Sequence, residues 1–187
     1  MSFLKSQPRA DLKAVLKLDP ELGLPFAAYH QALLRGPSPL SVAERELIGA
    51  FVSGLNACEF CYGEHAAVAE AFGMAPGVLE PLLHDIDGAA LPDRLKAILK
   101  YVRKLNDTPE RMSQADADAV FAAGWDDIAL YHAAAVCALF NMNNRIINGL
   151  GIPAHGPDKL AGTVERLHRE GYASTVAFVR GDWSEEQ

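Results

Sequence analysis

Apolar residues recur at three- and four-residue steps along most of this chain, the spacing that gives a helix one buried face. Leu12, Val15, Leu16 and Leu18 predict a short opening helix that ends near Asp19 and Pro20. A second helix is predicted over about 21–35, where Gly36, Pro37, Ser38 and Pro39 break it. Ser41 then begins a third, with Glu44 three residues later to complete a capping box, and its apolar positions are Val42, Leu47, Ile48, Phe51, Val52 and Leu55. Gly54 and Asn56 interrupt the pattern before a fourth helix, about 57–72, that stops at Gly73. Shorter helices are expected at 76–84, 92–105 and 114–123. The longest is expected over 126–150, its apolar stripe running through Ile128, Ala135, Leu139, Met142, Ile146 and Gly149. A final helix is expected over 158–170. Residues 173–179, ASTVAFV, carry strand-like β-branching and read as helix or strand, although one isolated strand would have no partner. The pattern predicts an all-α bundle of about eight helices.

Composition narrows the picture. The 187 residues are half hydrophobic and 22% charged, with no linker or composition shift, which predicts one helical domain over 1–187. Lys and Arg total 17 against 24 for Asp and Glu, a formal charge of −7 without any basic cluster. Such a chain is a poor partner for nucleic acid or an anionic membrane. The opening MSFLKSQPRADLK has no apolar run of signal-peptide length. Residues 128–144 contain no Asp, Glu, Lys or Arg, but fall short of a membrane span and carry His132, Asn141, Asn143 and Asn144. A buried core helix is expected there, and the cytoplasm is the expected compartment. Two stretches, LSVAERELIGAFVSGLNACEFC and GWDDIALYHAAAVCALFNMNNR, share a polar cap followed by an apolar helix, as a duplicated helical unit would.

Three cysteines are too few for a secreted disulfide framework, yet two of them fall within eight residues of each other and of an imidazole: Cys58-Glu59-Phe60-Cys61-Tyr62-Gly63-Glu64-His65. Asn56 is the expected N-cap, with Glu59 at N3, placing Cys58 in the first helical turn where free N–H groups favour a thiolate. Cys61 and His65, four residues apart, share a helix face, so the imidazole can exchange a proton with the thiol. The two-residue gap allows Cys58 and Cys61 to close a disulfide after one is oxidised. The same three side chains could instead hold zinc with His132 or Cys137 as a fourth ligand, but no second ligand pair accompanies them. Cys137, in an apolar helix without a neighbouring thiol, is expected in the core. Glu44 has its capping duty; Glu46, two residues on, has none, and beside His65 it would have a raised pKa if buried. Its bland alternative is a local ion pair with Arg45. His132 is expected as a core histidine, and His30, His84, His155 and His168 as surface residues. Asn141, Asn144 and Arg145 are expected in ordinary structural roles, with capping of an internal pocket or bonding across an oligomer interface as the alternative.

Glu46, Cys58, Cys61 and His65 together spell E-x11-C-x2-C-x3-H. This pattern, with the flanking LSVAERELIGAFVSGLNACEFCYGEHAAVAEAFG, resembles the alkylhydroperoxidase D (AhpD)-like group of the carboxymuconolactone decarboxylase-like superfamily. The later GWDDIALYHAAAVCALFNMNNRIINGLGIP is similar to its second helical region, so the likeness spans about 20–155, with 156–187 as a C-terminal extension. The resemblance implies an AhpD-like fold and a thiol-dependent peroxidase. In it Cys61 reduces a hydroperoxide through a sulfenic acid, Cys58 donates a proton and resolves it, and Glu46 and His65 relay protons. It also implies an external dithiol reductant, such as a lipoyl or thioredoxin-like protein, a homo-oligomeric trimer or hexamer, and no metal or other cofactor. One position departs from the pattern: well-studied members have a second His just before the second cysteine, where this chain has Phe60. A lactone decarboxylase branch without the cysteine pair, a redox sensor without turnover and the Cys/Cys/His metal site are the competing readings.

Overall fold

A helix that is apolar on every side is stable only when other elements enclose it, and this requirement organises the molecule. The protein is described by a computed structural model over residues 1–182. Its helices are α1 (Leu12–Leu18), α2 (Pro20–Arg35), α3 (Val42–Leu55), α4 (Glu59–Ala71), α5 (Leu79–His84), α6 (Asp93–Asp107), α7 (Gln114–Ala122), α8 (Asp127–Gly149), α9 (Pro157–Glu170) and α10 (Ala173–Arg180). A 3-10 turn, Pro109–Arg111, separates α6 from α7. The central element is α3, in contact with α2, α4, α5, α6 and α8. Every residue from Arg45 to Ser53 is buried, including the two charged ones.

The helix ends are fixed as the capping residues dictate. Asp11, Asp19, Ser41 and Asp126 each accept from a backbone N–H at the start of their helix. Ser41 and Glu44 form the expected reciprocal box, with Ser41 N donating to Glu44 Oε2 at 2.7 Å. The core is built from Leu34, Leu40, Leu47, Ile48, Phe51, Ile98, Leu99, Phe140 and Ile147. Each such side chain contributes about 1.5–3 kcal/mol on burial. Gly49 faces the Phe140 ring, and the absence of a Cβ there lets α3 and α8 approach. A smaller cluster of Leu16, Ala27 and Val179 joins α1, α2 and α10.

The all-α prediction holds, with ten α-helices among the described residues where about eight were expected. Residues 173–179 belong to α10, which packs against α2 and α1. The stripe predicted for α8 is buried at Ala135 and Leu139 but not along its whole length. Ile128 and Met142 are exposed, at 52% and 43%, while Ala129, Ala133, Val136, Phe140, Asn143, Asn144 and Ile147 face inward. With apolar residues on nearly all sides of this helix, periodicity offered no contrast from which to choose a face.

Candidate active site

The link from α3 to α4 places the first cysteine. Ala57 adopts the left-handed conformation, with φ +51°. Its N–H donates to Gly54 O at 3.1 Å, and the Cys58 N–H donates to Ser53 O at 2.9 Å. This is the paired bonding of a Schellman helix end, closed on alanine where glycine is usual. Asn56 is therefore the C-cap of α3, not the N-cap of α4, and Cys58 itself is the N-cap. Cys61 and Glu64 follow in the first turns of α4, with His65 one turn beyond Cys61.

Glu46 reaches the same place from the middle of α3. Its carboxylate has no exposure and accepts from three donors. Arg35 Nη1 lies 2.5 Å from Oε1, the Tyr172 hydroxyl donates to Oε1 at 3.0 Å, and His65 Nδ1 lies 2.5 Å from Oε2. With Nδ1–H held by the carboxylate, the imidazole leaves Nε2 for other chemistry. Burial alone would raise the Glu46 pKa, but His65 and Arg35 outweigh it and the net shift is downward. The expected raised value is thus reversed, because His65 and Arg35 both bond to the buried carboxylate and together outweigh its burial. The partner is Arg35 at the end of α2; Arg45 instead binds Leu33 O and Gly36 O. Tyr172 is delivered by the turn at Gly171, whose φ of +62° and packing against Gln31 and Arg35 leave no room for a Cβ.

The two thiols are unequal. The Cys58 pKa is lowered to about 6, most by the neighbouring Cys61 thiol; burial opposes, and the Cys61 backbone N–H and the Asn144 amide add to the lowering. Cys61 is shifted upward by Cys58 beside it and then by burial. The first proton lost therefore leaves from Cys58, as expected at a helix N-terminus. Asn144 is held by Ser53 Oγ at 3.0 Å and by Asn56 Nδ2 at 3.0 Å. All three cysteines are free and buried.

The thiols face different spaces. Cys61 and His65 line a partly enclosed, mainly apolar cavity of about 50 Å³ with Leu12, Leu16, Phe26, Phe60, Leu167 and Tyr172. Cys58 borders a separate open groove of about 200 Å³ with Gly54, Ala57, Tyr62 and Leu83. The cavity also takes His30, Asn143, Glu64 and His155. His30 Nδ1 donates to Phe26 O at 2.8 Å while Nε2 accepts from Asn143 Nδ2 at 2.8 Å, and burial lowers its pKa to about 4. Phe60 meets the His155 ring edge-on, with centroids 4.7 Å apart.

Glu46 thus meets His65 between α3 and α4, His65 shares the cavity with Cys61, and Cys61 neighbours Cys58 at the start of α4. Cys137 is core, with 1% exposure and a pKa pushed up to about 11 by burial. His132 is half-buried and bonds Ser38 Oγ at 2.7 Å, outside the residues lining the cavity. His84 and His168 are exposed, as expected. His30 and His155, expected at the surface, are corrected: α1 and α9 cover them, and only tertiary contact places those helices there. Among the described residues no three His, Cys, Asp or Glu side chains converge as metal ligands. Arg35, Tyr172, His155, His30 and Asn143 were not legible as site residues, since no fixed spacing ties them to the cysteines; Glu64, one turn from Cys61, was within reach of the same helical spacing and was passed over.

Residues 20–104 match the Carboxymuconolactone decarboxylase family. The fold is similar to a peroxidase-related protein from a Silicibacter species, with a TM-score of 0.73 and 26% identity, covering 78% of this chain and 76% of that one. It is equally similar, at TM-score 0.73 and 28% identity, to a peroxidase-related protein from Ralstonia eutropha described as an alkylhydroperoxidase AhpD core, covering 79% and 76% of the two chains. A protein of unknown function from Agrobacterium tumefaciens, a putative AhpD, shares the fold at TM-score 0.69 and 17% identity, over 79% of this chain and 98% of that one. No curated protein matches by sequence. The family match over residues 20–104, the all-helical fold and the peroxidase-related neighbours agree, and the chain is similar to the AhpD/carboxymuconolactone decarboxylase superfamily.

Proposed function

We propose that this protein is a thiol-dependent hydroperoxide reductase. The observation that carries the reading is the division of the redox pair: Cys61 lines an apolar cavity with His65, while Cys58 caps the helix and borders an open groove. In the cycle, the Cys61 proton moves to the Cys58 thiolate. Cys61 Sγ then attacks the terminal oxygen of the hydroperoxide, forming a sulfenic acid and releasing the alcohol oxygen. Cys58 attacks the Cys61 sulfenic acid, giving the disulfide and water. An external dithiol, a lipoyl or thioredoxin-like group, meets Cys58 from the open groove and restores the pair. Glu46 fixes His65 so that Nε2 can pass protons in the cavity. The chemistry asks for no metal or flavin.

The test is peroxide consumption with a supplied dithiol, for the wild type and for Cys58→Ser, Cys61→Ser and the double variant. Both single variants are expected to lose turnover, and trapped sulfenic acid is expected on Cys61 in Cys58→Ser. Undiminished activity in the double variant would sink the reading, and lactone decarboxylation by that variant would replace it. Sulfenic acid on Cys58 alone would reverse the two cysteine roles.

A further inference from the structure

The cavity holds a second carboxyl–imidazole pair that the cycle above leaves without a task. Glu64 lies one helical turn beyond Cys61 on α4 and lines the same cavity. Its side chain is 13% exposed, and Oε2 stands 3.4 Å from Nδ1 of His155, itself 10% exposed. Both His155 nitrogens are buried without a hydrogen-bond partner, an arrangement that proteins rarely leave unused. His155 comes from the segment after α8 and is steadied edge-on by Phe60.

We propose that Glu64 is the acid that protonates the oxygen leaving the hydroperoxide, with His155 as the positioning residue for its carboxyl. The inference rests on the peroxidase reading. When Cys61 Sγ attacks R–O–O–H, an S–O bond forms and the O–O bond breaks. The sulfur is oxidised by two electrons, and the peroxide is reduced. The terminal oxygen keeps its hydrogen in the sulfenic acid, and the bonding pair leaves on R–O⁻. An alkoxide is a poor leaving group in an apolar cavity, so a proton delivered during bond breaking lowers the barrier. Glu64 gives that proton and becomes a carboxylate. It regains one when the external dithiol reduces the disulfide, since that step yields a Cys58 thiolate and releases a proton.

The surroundings suit the role. Burial, the largest influence, raises the Glu64 pKa and Glu46 and Asp11 act in the same direction, while His65 and Arg166 oppose. His155 is shifted down by burial and by Lys159, Lys13 and Arg166, with Asp11 opposing, which keeps the ring neutral beside the acid. The groups facing the pair are thus His65 on α4, Glu46 on α3, Asp11 and Lys13 at α1, and Lys159 and Arg166 on α9.

Two small peroxides of nearly equal size separate this role from packing. Ethyl hydroperoxide leaves an alkoxide that needs a proton, and peracetic acid leaves a stable carboxylate that does not. Single-turnover oxidation of reduced protein, followed by quenching and mass spectrometry, gives both rates. Glu64→Gln is expected to slow ethyl hydroperoxide by about 10²-fold or more and peracetic acid by less than about threefold. Glu64→Asp is expected to retain part of the ethyl hydroperoxide rate. In the wild type, the ethyl hydroperoxide to peracetic acid rate ratio is expected to fall as pH rises and Glu64 ionises; taking the ratio cancels thiol ionisation. In His155→Phe that fall is expected to shift along the pH axis. Equal slowing of both peroxides in Glu64→Gln, or a wild-type ratio flat with pH, would overturn the assignment even if the variant misfolds. A wild type whose Cys61 neither peroxide oxidises would overturn the peroxidase reading itself.

Discussion

Glu46→Gln is the most informative single change, because one buried carboxylate joins four elements of the structure. The substitution preserves volume but turns one acceptor oxygen into an NH₂ donor. Arg35 Nη1 and Tyr172 Oη point donors at Oε1 and His65 Nδ1 meets Oε2, so the new NH₂ must either face the Arg35 donor or force His65 to the tautomer that accepts at Nδ1. Arg35, with 9% side-chain exposure, also loses its counter-charge. Breaking a buried pair in this way costs about 3–5 kcal/mol, against a total stability of about 5–15 kcal/mol for an ordinary domain. The variant should fold, with a urea midpoint well below that of the wild type and an unchanged slope. Arg35→Met tests whether the loss belongs to the pair. In the double variant the losses should fall short of additive by about 1.5–3 kcal/mol, the worth of a hydrogen bond between charged groups. Additivity within about 0.5 kcal/mol would refute the paired account. The pH dependence carries the same information. Glu46 has a folded-state pKa below its unfolded value, so its stabilisation is complete above the unfolded carboxylate range and is lost as pH falls through the folded pKa. Glu46→Gln should therefore lose less stability on acidification than the wild type.

Three further outcomes follow from the geometry. Thiolate absorbance at 240 nm should titrate with a midpoint of about 6, and Cys58→Ser should abolish this step; a midpoint near that of a free thiol would contradict the stabilisation of the Cys58 thiolate by Cys61 and Asn144. Because the Cys58 pKa is lowered on folding, its stabilisation is full above the unfolded thiol pKa and is lost as pH falls through about 6. Ala57→Gly relieves the left-handed strain and should raise stability by roughly 0.5–1 kcal/mol, read as a higher Tm. Gly49→Ala drives a methyl group into the Phe140 ring and should cost about 1–3 kcal/mol by denaturant unfolding.

The legibility of the site varied from residue to residue. Cys58, Cys61 and His65 share one helical segment, so their spacing alone placed them together. Glu46 was found through a longer spacing and sits where that spacing implied, but the sign of its pKa shift depended on Arg35, which no spacing links to it. The start of α4 was read two residues early because Ala57 ends α3 without the glycine that usually signals a Schellman close. For α8, the element was clear and its buried face was not. An alanine-rich helix carries little contrast, and the neighbouring helices decided that Asn143 and Asn144 point inward and Ile128 outward.

By itself the sequence determined the all-helical class, most helix boundaries and the grouping of Cys58, Cys61 and His65, because these rest on local periodicity, caps and short spacings. Tertiary structure decided everything that required distant segments to meet. It brought Arg35 and Tyr172 to Glu46, turned His30 and His155 inward, and placed Glu64 beside an imidazole 91 residues away. Those contacts arise because α9 packs on α4, α2 packs on α3 and α8, and α1 and α10 pack on α2, and packing depends on total shape and burial, which no local pattern encodes.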